Sequence, residues 1–186
     1  TRLGFPFGDY FYTGSTVGEE LYISNIPFMD SLSFSFLLFA SYSLALAFVL
    51  PPASPRNGDI AWSFDPSVRI SWPIVCLTVL FFTFSDIVID PVALQGDRWF
   101  LGQIYGYPHQ GIYFGVPLAN FAGWAVVGSL SMLGYRWMEK TWYDHHPVPR
   151  SVVKWEVLWG IGLYYGVLVF NLGVTFWIGE ILMGVA

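Results

Sequence analysis

Four apolar stretches, each about as long as a bilayer's hydrocarbon core is thick, constrain the fold of this chain more than any other feature. A helix rises 1.5 Å per residue, so crossing roughly 30 Å of hydrocarbon takes about 20 largely apolar residues. The first stretch runs from about Ile26 to Leu50 and stops at Pro51-Pro52. The second runs from about Trp72 to Leu94 and opens with Pro73, where a missing N–H does little harm. The third covers about Ile112 to Trp137. The last, Trp155 to Ala186, is long enough to tilt, and Gly160, Gly162, Gly166, Gly173 and Gly179 would let neighbouring helices approach closely. The expectation is an all-α polytopic transmembrane bundle, with about four spanning helices in one membrane domain over residues 1–186. The linkers between them are polar and turn-rich, as in Pro55-Arg56-Asn57-Gly58-Asp59.

Composition agrees. Only 11% of the residues are charged, 55% are hydrophobic, and mean hydropathy is +0.54. A water-soluble domain carries roughly 25% charged residues. The net charge of −5 is spread along the chain without a basic run, which argues against nucleic acid as a partner. Cys76 is the single cysteine and can form no internal disulfide. The chain opens on Thr1 with no arginine-flanked signal region, so its N-terminus is expected to be processed or to lie further upstream, with room there for more helices.

Orientation follows from the eight Lys and Arg residues. Arg2 and Arg98 lie on the face of the N-terminus and of the connection between the second and third helices. Arg56, Arg69, Arg136, Lys140, Arg150 and Lys154 lie on the other. The positive-inside rule puts the second face in the cytoplasm and the first outside it. For a bacterial or archaeal cytoplasmic membrane, the first face is then extracytoplasmic.

Ionisable and strongly polar groups in hydrocarbon are costly and mark function more often than elsewhere. Asp30, Asp86, Asp90, Asn120 and Glu180 all fall in the half of the bundle nearest the first face. Asp86 and Asp90 are one helical turn apart and share a helix face. Two carboxyls so placed in a low dielectric do not both ionise, so one is expected to keep its proton and to serve as a proton donor. The competing reading makes them interfacial caps, and it weighs most for Asp30 and Glu180. Around them the sequence is strongly aromatic, with Trp99, Phe100, Tyr105, Tyr107, Tyr113 and Phe114 in one connection. Such residues form the aromatic belt of many membrane proteins. They would also wall a slot for a long, flat polyene lipid.

Three blocks carry a resemblance. Gly4-Phe5-Pro6-Phe7-Gly8-Asp9-Tyr10-Phe11-Tyr12-Thr13, then Asp86-Ile87-Val88-Ile89-Asp90-Pro91, then Tyr113-Phe114-Gly115-Val116-Pro117-Leu118-Ala119-Asn120-Phe121-Ala122-Gly123-Trp124 occur in that order. They resemble the signature blocks of the membrane carotenoid-biosynthesis family of the 1,2-hydratase type, whose relatives include γ-carotene and lycopene hydratases and bisanhydrobacterioruberin hydratase. The resemblance implies acid-catalysed addition of water across the C1–C2 double bond of an acyclic (ψ) carotenoid end group, a hydro-lyase reaction without cofactor or metal. It further implies Asp86 or Asp90 as the acid, Asn120 as a group that positions water, and Tyr10, Tyr12, Tyr113, Phe114, Pro117 and Trp124 as substrate contacts, to which Trp99 of the aromatic connection is added as a candidate polyene wall. A cation beside aromatic faces gains electrostatic stabilisation.

Other chemistries lack their residues. A membrane di-iron hydroxylase needs many histidines, whereas only His109 and the pair His145-His146 occur, on opposite faces. A flavin enzyme needs a glycine fingerprint between strand and helix, which is absent. The histidines read as solvated loop residues. The expected partners are a carotenoid or another polyene lipid, membrane lipids and other membrane subunits. The alternative function is a non-catalytic carotenoid-binding or structural subunit of a larger membrane complex.

Overall fold

The computed structural model describes residues 8–53, 61–65, 67–143 and 151–186. The first four residues of the first sequence block, the linker Pro55 to Asp59, Arg150, and His145 and His146 lie outside them. Among the described residues there are four long helices, α1 (Phe28–Val49), α2 (Trp72–Ala93), α3 (Leu118–Tyr143) and α4 (Trp155–Trp177), and a short α5 (Ile181–Val185). The protein is thus mostly helical, with no closed sheet among the described residues.

Local sequence accounts for the ends of these helices. Leu50 turns extended before Pro51, because the residue before a proline is pushed out of the helical region. Pro73 sits in the first turn of α2. α4 stops where Gly179 takes φ +85°, and Gly179 and Glu180 donate back to the carbonyls of Phe176 and Thr175 in a Schellman cap. That cap separates α5 from α4, so the last apolar stretch is not one helix. α3 begins at Leu118 rather than near Ile112. Residues 111–116 fold back on themselves through Gly111↔Gly115 and Tyr113↔Val116 bridges, with Phe114 and Gly115 at φ +49° and +91°. At its other end α3 runs beyond the apolar stretch through Met138-Glu139-Lys140, good helix formers that hydropathy does not register.

α1, α2 and α4 pack on one another, and α3 packs along α2. α2 is therefore central, with Ile74, Val75, Phe82 and Val92 buried. Gly160 on α4 lies so close to Ser43 on α1 that a Cβ there would come within 2.1 Å of it. Several buried hydroxyls are satisfied within their own helices, as Thr78 is by Ile74 O at 2.7 Å and Thr175 by Asn171 O at 2.8 Å. Outward faces are apolar, with Leu80, Leu130 and Val169 well exposed. α1, α2 and α4 are long and apolar enough to cross a membrane. α3 has the length, but its Arg136, Glu139 and Lys140 set it apart from the other three.

Short strands tie the connections together at the two ends of the bundle. At one end, β1 (Phe11–Tyr12) and the hairpin of β2 (Tyr22–Ile23) and β3 (Ile26–Pro27) precede α1. At the other end, β4 (Pro52–Ala53) and β5 (Ala61–Phe64) lie between α1 and α2. Back at the first end, β6 (Tyr105–Gly106) lies between α2 and α3 and pairs antiparallel with β1, placing Tyr12 opposite Tyr105. β7 (Ser151–Val153) pairs with β5 and so joins the two connections of the opposite end. There Arg69 and Glu139 form a buried ion pair.

Candidate functional site

The last two turns of α2 supply the core of the site. Asp86 and Asp90 are 2% and 4% exposed, so neither carboxyl reaches bulk solvent. Buried charge is tolerated only where hydrogen bonds replace water. Asn120, in the first turn of α3, spans the pair: its Nδ2 donates to Asp86 Oδ2 at 2.7 Å and to Asp90 Oδ2 at 2.9 Å. The turn over 111–116 sets where α3 starts, and the Asn120 N–H is held by Pro117 O at 2.9 Å. Pro91 lies inside α2 and, having no N–H, leaves a carbonyl of the preceding turn without its helical donor.

Two tyrosines complete the cage. Tyr105 donates to Asp90 Oδ1, and Tyr107 donates to Asp90 Oδ2 at 2.7 Å. They stand two residues apart at β6, where strand alternation directs both side chains the same way. A third carboxyl lies nearby: Tyr12 donates to Asp30 Oδ2 at 2.5 Å, and Asp30 is close enough for its charge to act on Asp86 and Asp90. Tyr10 packs edge-on against Tyr12 with ring centroids 5.5 Å apart. A cavity of about 480 Å³, lined by Tyr10, Tyr12, Tyr22 and their neighbours, opens beside this rim.

The donors are distributed unequally over the two aspartates. Asp90 accepts from Tyr105, Tyr107 and Asn120, which is how an ionised carboxylate is held. Among the described residues Asp86 accepts only from Asn120, on Oδ2, which leaves its other oxygen to carry a proton. Neither Arg98, which pairs with Glu180, nor Arg69, which pairs with Glu139, contacts these carboxyls. The site is thus a pocket of carboxyl, amide and phenol groups that can give up a proton and accommodate positive charge. Among the described residues no group of three or more His, Cys, Asp or Glu is arranged to hold a metal ion.

Burial, and after it the Asp90 carboxylate, holds the Tyr105 and Tyr107 hydroxyls protonated far above the usual phenol range. Burial and the Asp30 hydrogen bond do the same for Tyr12. The folded state therefore keeps these protons where the unfolded chain would lose them, near pH 10. Their stabilisation is complete below about pH 10 and declines as pH rises past it. Thermal unfolding in detergent checks this: between about pH 9 and pH 11 the unmutated protein should lose more stability than Tyr107→Phe. Equal losses would mean that Tyr107 titrates like an exposed phenol.

The remaining expected residues are dispersed. Trp124 stacks on Phe34 of α1 at 4.4 Å and meets Phe82 of α2 at 4.7 Å, one turn below Asn120. Tyr113 packs against Phe114 and Phe121. Pro117 ends the turn that carries Asn120. Trp99 is buried in a cluster with Val92 and Ala93, against which Tyr105, Val174 and Ile178 pack. His109 is exposed. The structure therefore unites Tyr10, Tyr12, Asp86, Asp90 and Asn120. It adds Tyr105, Tyr107 and Asp30, whose roles as partners of the cluster the sequence reading did not assign. The spacing Tyr105-Gly106-Tyr107 beside an expected turn was the signal available for the first two.

The comparisons with known proteins bear on this arrangement. Bisanhydrobacterioruberin hydratase of Haloarcula japonica is 28% identical to the chain over 171 residues, which is 88% of this chain and 50% of that protein. The chain thus spans about half the length of that relative. No solved structure matches it. The family described as carotenoid biosynthesis protein matches residues 1–186, and the three long apolar helices fit an integral membrane protein. The chain belongs to the carotenoid biosynthesis protein family.

Proposed function

We propose that this protein hydrates the C1–C2 double bond of an acyclic carotenoid end group, with Asp86 as the acid. The observation that carries this reading is the buried pair Asp86/Asp90, bridged by Asn120, with three donors on Asp90 and one on Asp86. Asp86 gives its proton to C2, and the electron pair of the double bond forms the new C–H bond. The positive charge left on C1 is tertiary and lies beside carboxylates and phenol rings, which stabilise it. Water, held by Asn120 and Asp90, bonds to C1 through oxygen. The proton it sheds returns to the aspartate pair, which ends in its starting state. The net change is one water added and no electron transferred. The cavity beside Tyr10 and Tyr12 supplies water from the polar end of the bundle.

The protein in liposomes with an acyclic carotene tests this. Hydration should proceed under argon and with chelators present, and the product hydroxyl should take its oxygen from labelled water. Oxygen arriving from dioxygen would overturn the reading. Carotenoid bound but never altered would replace it with a non-catalytic carotenoid-binding role.

From the charge distribution of the connections we infer an extracytoplasmic site. A reporter fused after Arg150 should remain cytoplasmic, and one inserted near Gly106 should be translocated. The reverse pattern would move the site to the cytoplasmic half.

A further inference from the structure

An apolar groove of about 510 Å³ runs between α2 and α3, bordered by residues that include Trp72, Val79, Thr83, Ala125, Ser129 and Leu133. Small residues on α3 keep it open, and Gly128 beside it lets Phe82 pack against the α3 backbone, where a Cβ would lie 2.9 Å from the ring. Trp72 and Leu80 on its border are more than half exposed, so the groove is open toward the bilayer.

Two observations connect the groove to the carboxyl site. Along α2, Thr83 precedes Asp86 by about 4.5 Å of helical rise, and Asp90 returns to within about 20° of Thr83's face. Along α3, Asn120 precedes Ala125 by about 7.5 Å. The groove therefore ends within a turn of Asp86 and about two turns short of Asp90 on α2, and about one and a half turns from Asn120 on α3. At that end the Thr83 hydroxyl oxygen is buried with no hydrogen-bond partner among the described residues. Ser41 and Thr83 carry the buried helix hydroxyls left without a partner among the described residues, and of the two it is Thr83 that borders the groove.

We propose that this groove holds the hydrocarbon chain of a linear polyene lipid, which enters sideways from the bilayer and presents its terminal double bond to Asp86. The proposal rests on the hydratase reading for what happens at the end group, and on the groove itself for where the chain lies. A substrate insoluble in water has no reason to pass through the polar connections, and the lateral opening removes that need. Thr83 would meet the end group just short of the acid, where it acts as a positioning residue.

Cys76 lines the same groove and is exposed, which provides a probe without mutation. The rate at which a lipid-soluble maleimide alkylates Cys76 is measured in detergent, with and without an acyclic carotene, and with phospholipid alone. Carotene should slow alkylation about tenfold or more, equally in the unmutated protein and in Asp86→Asn, whereas phospholipid should not. Separately, Ser129→Trp should fill the groove and raise the KM for the carotene about tenfold or more. Unchanged alkylation, equal slowing by phospholipid, or an unaltered KM in a folded Ser129→Trp protein would overturn the proposal. The two readings fail separately: protection of Cys76 without any hydration removes the hydratase reading and keeps the groove, and Asp86-dependent hydration without protection does the opposite.

Discussion

Asp86→Asn should abolish hydration, with a loss of about 10²- to 10⁴-fold, while leaving the protein folded in the membrane. The amide has the shape of the carboxyl and can still accept from Asn120, so the contact seen at 2.7 Å need not be lost. What disappears is the transferable proton. Asp90→Asn should be as damaging for a different reason: two phenols and an amide then face a neutral group, and the cation at C1 loses its nearest negative charge. Infrared spectroscopy separates the roles. A protonated carboxyl band at neutral pH should vanish in Asp86→Asn and persist in Asp90→Asn. Glu180→Gln, which alters only the partly exposed pair with Arg98, should change hydration little. Full activity in both aspartate variants would refute the mechanism.

Gly111→Ala should produce the second large effect, through geometry instead of chemistry. A Cβ at this position would lie 2.0 Å from the carbonyl carbon and oxygen of Val116 and 2.1 Å from Pro117 N. These are backbone atoms and cannot rotate away, so the turn over 111–116 must open. Asn120 is held to that turn through Pro117 O and would leave its place between the two carboxyls. Misplacing a positioning group by about 1 Å costs on the order of 10²-fold in rate. Helix content should hardly change. Gly134→Ala is the control, since nothing lies within 4 Å of its added Cβ, and it should be neutral or slightly stabilising. A Gly111→Ala protein with normal turnover would show that the turn does not place Asn120.

What could be seen in the sequence follows from what each feature depends on. The spans of α1, α2 and α4 depend on local hydropathy, and Pro51 and Pro73 mark ends through their own covalent geometry. Asp86 and Asp90 stand on one face because a helix repeats every 3.6 residues, so their pairing needs no tertiary knowledge. The start of α3 was hidden, since it depends on Phe114 adopting a left-handed conformation that only the closed turn stabilises. The meeting of Tyr105 and Tyr107 with Asp90 was hidden as well. It depends on the β1–β6 pairing, which joins segments far apart in the chain, and on how the connection folds back over α2. Trp99 was hidden in the same way: its position in an aromatic connection suggests a ligand wall, and its burial with Val92 and Ala93 depends on how that connection folds back.

The most direct test uses the protein in liposomes with an acyclic carotene in heavy water. The expected product is a tertiary alcohol bearing one deuterium at C2, formed by the unmutated protein and not by Asp86→Asn. Carotene recovered unchanged from the unmutated protein, or product formed undiminished by Asp86→Asn, would contradict it.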